Sequence, residues 1–210
     1  SHPETLYAGD DRLCVYCKAD IAEQEPLPAS PEPVAAAEET LEEKARAELA
    51  LRFLTRKRLL PFVERFNPDY QAGWVHKDIC KRLEDFSRDV TEKKSPRLML
   101  FMPPRHGKST LASVAFPAWH LGRNPQHEFI SCSYSGSLAM GFSRKVRGLL
   151  REEGFKSAFK TRLDPQSQSA EAWLTTMGGG YVAAGVGGGI TGKGAHILVI
   201  DDPVKNRDDA

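Results

Sequence analysis

Long apolar runs, cysteine and net charge are all in short supply in this sequence, and each shortage excludes something. The longest apolar stretches, Leu98 to Met102 and Ile197 to Ile200, fall far below the roughly 20 residues that a membrane-spanning helix needs. No charged-then-apolar leader pattern opens the chain, so no secretory signal is read there. Four cysteines in 210 residues, two of them isolated at Cys80 and Cys132, cannot staple a small secreted fold, and reduced thiols in a cytoplasmic setting are the expectation. A formal net charge of +1 provides no global field to draw in a polyanion, so any nucleic-acid contact has to be local or shared between subunits. What remains is a soluble globular composition, 40% hydrophobic and 27% charged, with length for one substantial core.

Composition divides the chain into three parts. Residues 1–37 carry Pro26, Pro28, Pro31 and Pro33 among Ala, Glu and Ser, which favours an extended, solvated tail. Cys14 and Cys17 form a C-x-x-C pair in that tail, but no second half at zinc spacing follows, so no metal is expected there. Residues 38–95 read as a helical lead-in. Leu41, Ala45, Leu49, Phe53 and Leu60 follow one helical face to an expected end near Pro61, and Ile79, Leu83 and Phe86 mark a second helix over about 76–90. From 96 to 210 short β-rich runs alternate with helical ones. Strands are expected at 97–102, 128–133, 173–177, 181–186 and 196–201, and helices at 107–121, interrupted by Pro117, and 137–150. That alternation predicts an α/β fold with a mostly parallel sheet, and Gly178 to Gly180 suits a hairpin between the third and fourth strands. The basic run from Arg144 to Arg162, diluted by Glu152 and Glu153, is read as a solvated helix face.

Two stretches could cradle a phosphate. In LMLFMPPRHGKST an apolar run feeds a tight loop that ends in Gly107, Lys108 and Ser109 and leads into a helical pattern. Phosphate binding needs those residue types: glycine for close backbone approach, N–H groups at a helix start, a lysine for the β and γ phosphates, and a hydroxyl for Mg²⁺. The loop departs from G-x-x-x-x-G-K-[ST] at its first position, which is Met102. The second stretch, Gly187 to Lys193, also spells G-x-x-x-x-G-K, but Gly194 follows the lysine and a strand follows the glycines. A metal-binding hydroxyl and a helix are both missing there, so the phosphates are assigned to Lys108. The glycine-rich run is then a mobile loop beside the site or a plain connector. The strand ILVIDDP ends in two carboxylates at the sheet edge where α/β ligands sit. Asp201 is the expected Mg²⁺ partner and Asp202 the residue that polarises the attacking water.

These residues resemble the large terminase subunits of tailed phages. The likeness lies in PPRHGKST at Pro103 to Thr110, SYSGSLA at Ser133 to Ala139, and GGGYVAAGVGGGITGKGAHILVIDDPVKNRDDA at Gly178 to Ala210, with a weaker extension upstream through Trp74, His76, Ile79 and Leu83. The resemblance implies a P-loop NTPase of the ASCE, RecA-like class with flanking helices, cut off after the acidic Walker B strand and lacking a nuclease domain. It implies an ATP-driven motor that moves double-stranded DNA into a procapsid in the host cytoplasm. Its expected partners are the portal protein, the small terminase subunit and further copies in a ring, commonly of five, with no membrane involved. ATP and Mg²⁺ are the implied cofactors. Pro104, Arg105, His106, Gly107, Lys108, Ser109 and Thr110 match the family's phosphate loop, with Arg105 at the γ-phosphate, while Ser109 and Asp201 match the metal positions. Asp202 matches the catalytic carboxylate, one methylene shorter than the Glu of many relatives, and Trp74 and His76 stand nearest an adenine contact. The resemblance also implies that a strand lying between the Lys108 strand and the Asp201 strand comes later in sequence than 210. Two rival readings stay open, a nucleotide-binding assembly module without turnover and a helicase-like P-loop ATPase.

Overall fold

The computed structural model describes residues 40–190 and 192–204. The chain divides into Ser1–Leu41 and Glu42–Ala210, and the description concerns the second unit, with Leu41 opening its first helix. Cys14, Cys17 and the proline-rich tail lie outside the described residues.

Three helices come first: α1 (Leu41–Lys57), α2 (Leu59–Phe66) and α3 (Trp74–Thr91). The break between α1 and α2 falls at Arg58, in extended conformation, and not at Pro61. Pro61 sits third in α2, in the first turn, where its missing N–H has no intrahelical partner to lose. Glu84 of α3 takes over the cap, accepting from the Leu59 N–H at 2.7 Å and the Arg58 Nε at 2.8 Å. The expected apolar face of α1 is largely solvent-facing, since Leu41, Leu49 and Phe53 are all exposed. Polar contacts anchor the helix instead: the Trp119 indole donates to the Thr55 carbonyl, Arg56 donates to the Ala158 carbonyl, and Arg65 donates to Glu48. In α3 the spacing Ile79, Cys80, Leu83 and Ser87 buries one stripe, as an amphipathic helix should.

The strand expected at 97–102 does not form. That segment has no regular structure and pairs with nothing among the described residues, and a β-rich run becomes a strand only when a ladder partner lies beside it. The helix that follows it does not stop at Pro117. Thr110–Ala115 form a π-helical turn that runs into α4 (Phe116–Arg123), and the Phe116 N–H bonds back to Leu111. Proline in an α-helix collides with the carbonyl four residues earlier; the wider π turn just upstream relieves that collision, and Pro117 falls in the first turn of α4.

Five strands complete the unit: β1 (Glu128–Ser133), β2 (Leu163–Gln168), β3 (Ala172–Thr175), β4 (Gly180–Gly185) and β5 (Ile197–Asp201). Between β1 and β2 lie α5 (Gly136–Arg151) and α6 (Glu153–Ala158). The order is β2-β3-β4-β1-β5, with β4, β1 and β5 parallel and β2, β3 and β4 antiparallel. The sheet is therefore mixed and not mostly parallel, although the glycine hairpin between β3 and β4 forms where it was expected. Strand alternation sorts β1 into two faces. Phe129 joins the main core with Tyr181, Trp173, Phe116 and Trp119, while Ile130 and Cys132 form a smaller cluster with Ala184 on the other side. At the N-terminal ends of β1 and β5 a chain of polar groups runs outward from the interior to exposed His196. Ser87 Oγ lies 2.8 Å from His120 Nδ1, His120 Nε2 lies 3.0 Å from His127 Nδ1, and His127 stacks on His196 with centroids 4.2 Å apart.

Candidate functional site

The opposite end of the sheet gathers the candidate residues. Parallel pairing sets Ser133 beside Asp201 on one flank and beside Gly185 on the other, so the C-terminal ends of three strands form one edge. Parallel α/β sheets hold their ligands at that edge. The loop Pro103 to Gly107 reaches the same edge in an unusual conformation. Arg105 has φ 62° and Gly107 φ 81°, and the first of these is rare for a residue with a side chain. The helical turn at Lys108 follows immediately, so the loop's backbone N–H groups and a helix start are brought together.

Lys108 is the centre of the site. Its Nζ lies 2.7 Å from Asp202 Oδ1 and 3.8 Å from Asp201 Oδ1, joining residues 94 positions apart in sequence. The bond to Asp202, and after it the charges of both carboxylates, hold the ammonium pKa above its ordinary value against the opposing effect of burial. The two carboxylates differ in surroundings. Asp201 is buried and accepts a hydrogen bond from Ser113 Oγ at 2.7 Å, while Asp202 is exposed and bends the chain with φ 45°. Aspartate tolerates that left-handed geometry better than most residues.

Among the expected site residues, Arg105, His106, Gly107, Lys108, Asp201 and Asp202 are brought to this edge. Ser109 and Thr110 stand at the start of the helix, and it is Ser113, one turn beyond Ser109, whose hydroxyl touches Asp201. Sequence reasoning missed Ser113 because its only signal is a position four residues after the loop's serine. Trp74 is 81% exposed. His76 has both ring nitrogens engaged, Nδ1 by the Gly73 N–H at 3.0 Å and Nε2 by the His106 carbonyl at 3.0 Å. Lys193 lies in the glycine-rich run, exposed, and its N–H closes a turn on Ile190 rather than opening a helix.

Beside the site a cleft of about 550 Å³ runs between the unpaired segment and β5. It is lined by Leu98, Leu100, Leu198 and Ile200, by Phe86 and Phe116, and by Lys108, Asp201 and Asp202. Among the described residues β5 pairs only with β1, so its other edge faces this cleft.

An α/β protein with a lysine loop and an acidic strand end meeting at one sheet edge is the class these features define. The family model for the N-terminal part of the large terminase subunit, T4likevirus type, matches residues 99–210, more than half of the 210 residues and the whole of the site apart from the upstream helices. The chain belongs to that family, which points to phage DNA packaging. No curated protein and no solved structure matches it. No helix among the described residues is long and apolar enough to cross a membrane.

Proposed function

We propose that this chain is the ATP-binding, ATP-hydrolysing part of a DNA-packaging motor, built on a P-loop NTPase core. The observation that carries the reading is the meeting of Lys108, on a loop with left-handed Arg105 and Gly107, with Asp201 and Asp202 at the sheet's C-terminal edge. A triphosphate is the ligand such a loop suits. Its N–H groups and helix start face negative oxygens, and Lys108 exchanges its carboxylate partners for the β and γ phosphates. Arg105 supplies a guanidinium suited to a γ-phosphate.

The donor set also fits a magnesium ion. Among the described residues no three His, Cys, Asp or Glu side chains cluster at ligand spacing, and Mg²⁺ takes just one or two carboxylates and fills the rest of its shell with phosphate oxygens and water. Asp201, oriented by Ser113, would hold it with Ser109; bound there, it would neutralise charge on the phosphates. Asp202, exposed and released by Lys108, would accept a proton from the attacking water.

The apolar cleft supports the P-loop strand order expected from the resemblance. Segment 97–102 and β5 present unpaired edges across it, and a strand inserted between them would satisfy both. We propose that chain outside these 210 residues supplies it. The open cleft also favours a second reading for the isolated domain, nucleotide binding without turnover, since the acidic pair is among the residues that line it. DNA, the portal, the small subunit and a ring of copies are the partners this function requires.

ATP titration of the 210-residue chain, with phosphate release measured beside a longer version, tests the proposal. ATP binding lost on Lys108→Ala is the expected result; a chain that binds no ATP at millimolar concentration with Mg²⁺ would sink the reading.

A further inference from the structure

We propose that Tyr70 and His76 are positioning residues for the loop Pro103 to Gly107, clamping it from the N-terminal end of α3 so that it is shaped for an anion before one arrives. The inference rests on reading that loop as the phosphate site, and it is carried by contacts that no motif announces.

His76 is the active half of the clamp. The Gly73 N–H can only donate, so His76 Nδ1 at 3.0 Å accepts; the proton is then on Nε2, which donates to the His106 carbonyl at 3.0 Å. The ring is thereby fixed at both ends. His106 stands between Arg105 and Gly107, the two residues of the loop with left-handed backbone. Holding its carbonyl holds both turns. A left-handed arginine is costly and persists only where its surroundings over-determine it, and the fixed imidazole is such a surrounding. His106 adds a second restraint of its own, with Nδ1 donating to the Pro104 carbonyl at 2.7 Å.

Tyr70 is the passive half. Its ring meets His76 edge-on, with centroids 5.6 Å apart at 74°. Its hydroxyl oxygen would lie 3.2 Å from a Cβ at Gly107, so the phenol walls the loop on the side where any larger residue at 107 would go. That hydroxyl is buried and makes no hydrogen bond among the described residues, and burial pushes its pKa up to about 12. Tyr70 therefore acts through its bulk.

Pre-shaping a binding loop raises affinity by raising the fraction of molecules ready to bind. Two measurements on the 210-residue chain test this: amide hydrogen exchange over residues 105–109 without ligand, and ATP affinity by titration, with thermal melting as the control for folding. His76→Ala should speed loop exchange about tenfold and weaken ATP binding about tenfold, the size of one net hydrogen bond, with exchange in α5 unchanged. His76→Gln, which keeps an N–H donor, should recover most of both. Tyr70→Phe should behave as the wild type and Tyr70→Ala like His76→Ala. Wild-type exchange or wild-type affinity in His76→Ala overturns the clamp, as does failure of His76→Gln to rescue. Lys108→Ala reports separately on the phosphate reading, because it should lose ATP without faster loop exchange.

Discussion

Mild acid should destabilise this domain, and buried His120 sets how steeply. His120 is fully buried, and burial, followed by the charges of His127, Arg123 and His196, lowers its pKa from the usual 6.5 to about 3. Its partners are a serine hydroxyl and another imidazole, so neither side chain bonded to it is a carboxylate that could stabilise a positive charge. The folded state thus depresses this pKa, so the unfolded chain takes up the proton first. The stability contribution is intact above about pH 6.5 and is lost progressively as the pH falls toward 3. Linkage with those two values gives a loss of about 2 kcal/mol by about pH 5, against almost none at about pH 7.5. For a domain stable by roughly 5–15 kcal/mol that is a large fraction. His127, also lowered by burial and by His196, adds in the same direction. Glu48 does not confuse the window, because its hydrogen bonds to Arg65 and Arg52 hold it near 2, and its contribution is lost only below about pH 4.5. Urea unfolding followed by the fluorescence of buried Trp119 and Trp173 is the assay. His120→Asn, which cannot take up a proton, should be weaker by about 1–3 kcal/mol at neutral pH but should lose most of the acid slope. An identical wild-type midpoint at the two pH values, or an undiminished slope in His120→Asn, would refute the reasoning.

Three further outcomes are expected. Gly179→Ala should destabilise the domain by about 2 kcal/mol or more, read as a fall in melting temperature, because its Cβ would fall on the carbonyl oxygens of Pro125 and His127, which are backbone and cannot move aside. Lys193→Ala should leave ATP binding by this chain unchanged while Lys108→Ala abolishes it; the reverse pattern in a titration would mean that the other glycine loop holds the phosphates. Asp202→Asn should preserve Mg·ATP binding but cut turnover of the complete motor by at least about a hundredfold, whereas Asp201→Asn should shift the magnesium dependence, and wild-type phosphate release by Asp202→Asn would refute those roles.

Local pattern made part of this legible and tertiary contact supplied the rest. β1 and α5 stand close to where periodicity put them, and α3 follows its Ile79–Leu83 stripe, because each has a one-sided apolar signal over enough residues to be read alone. β2 was not foreseen. Its sequence LDPQSQ is polar and contains Pro165, tolerable only at an edge, and its pairing with β3 depends on a hairpin that the segment itself does not encode. The 97–102 run failed in the opposite way: its composition is that of a strand, but a strand needs a neighbour, and none of the described residues provides one. The histidine chain joins positions 87, 120, 127 and 196, which no spacing rule connects. The two glycine loops show most directly what separates a motif from a site. Gly187 and Gly192 have φ 79° and 80°, close to Gly107 at 81°, so left-handed backbone is common to both loops. What differs is the continuation: a helix begins at Lys108 and brings Ser113 round to Asp201, whereas β5 begins just after His196 and carries the chain away from Lys193. On the proposed reading a phosphate loop is set by the element it feeds, and of the two lysines it is Lys108 that lies at a helix start and against the acidic strand end.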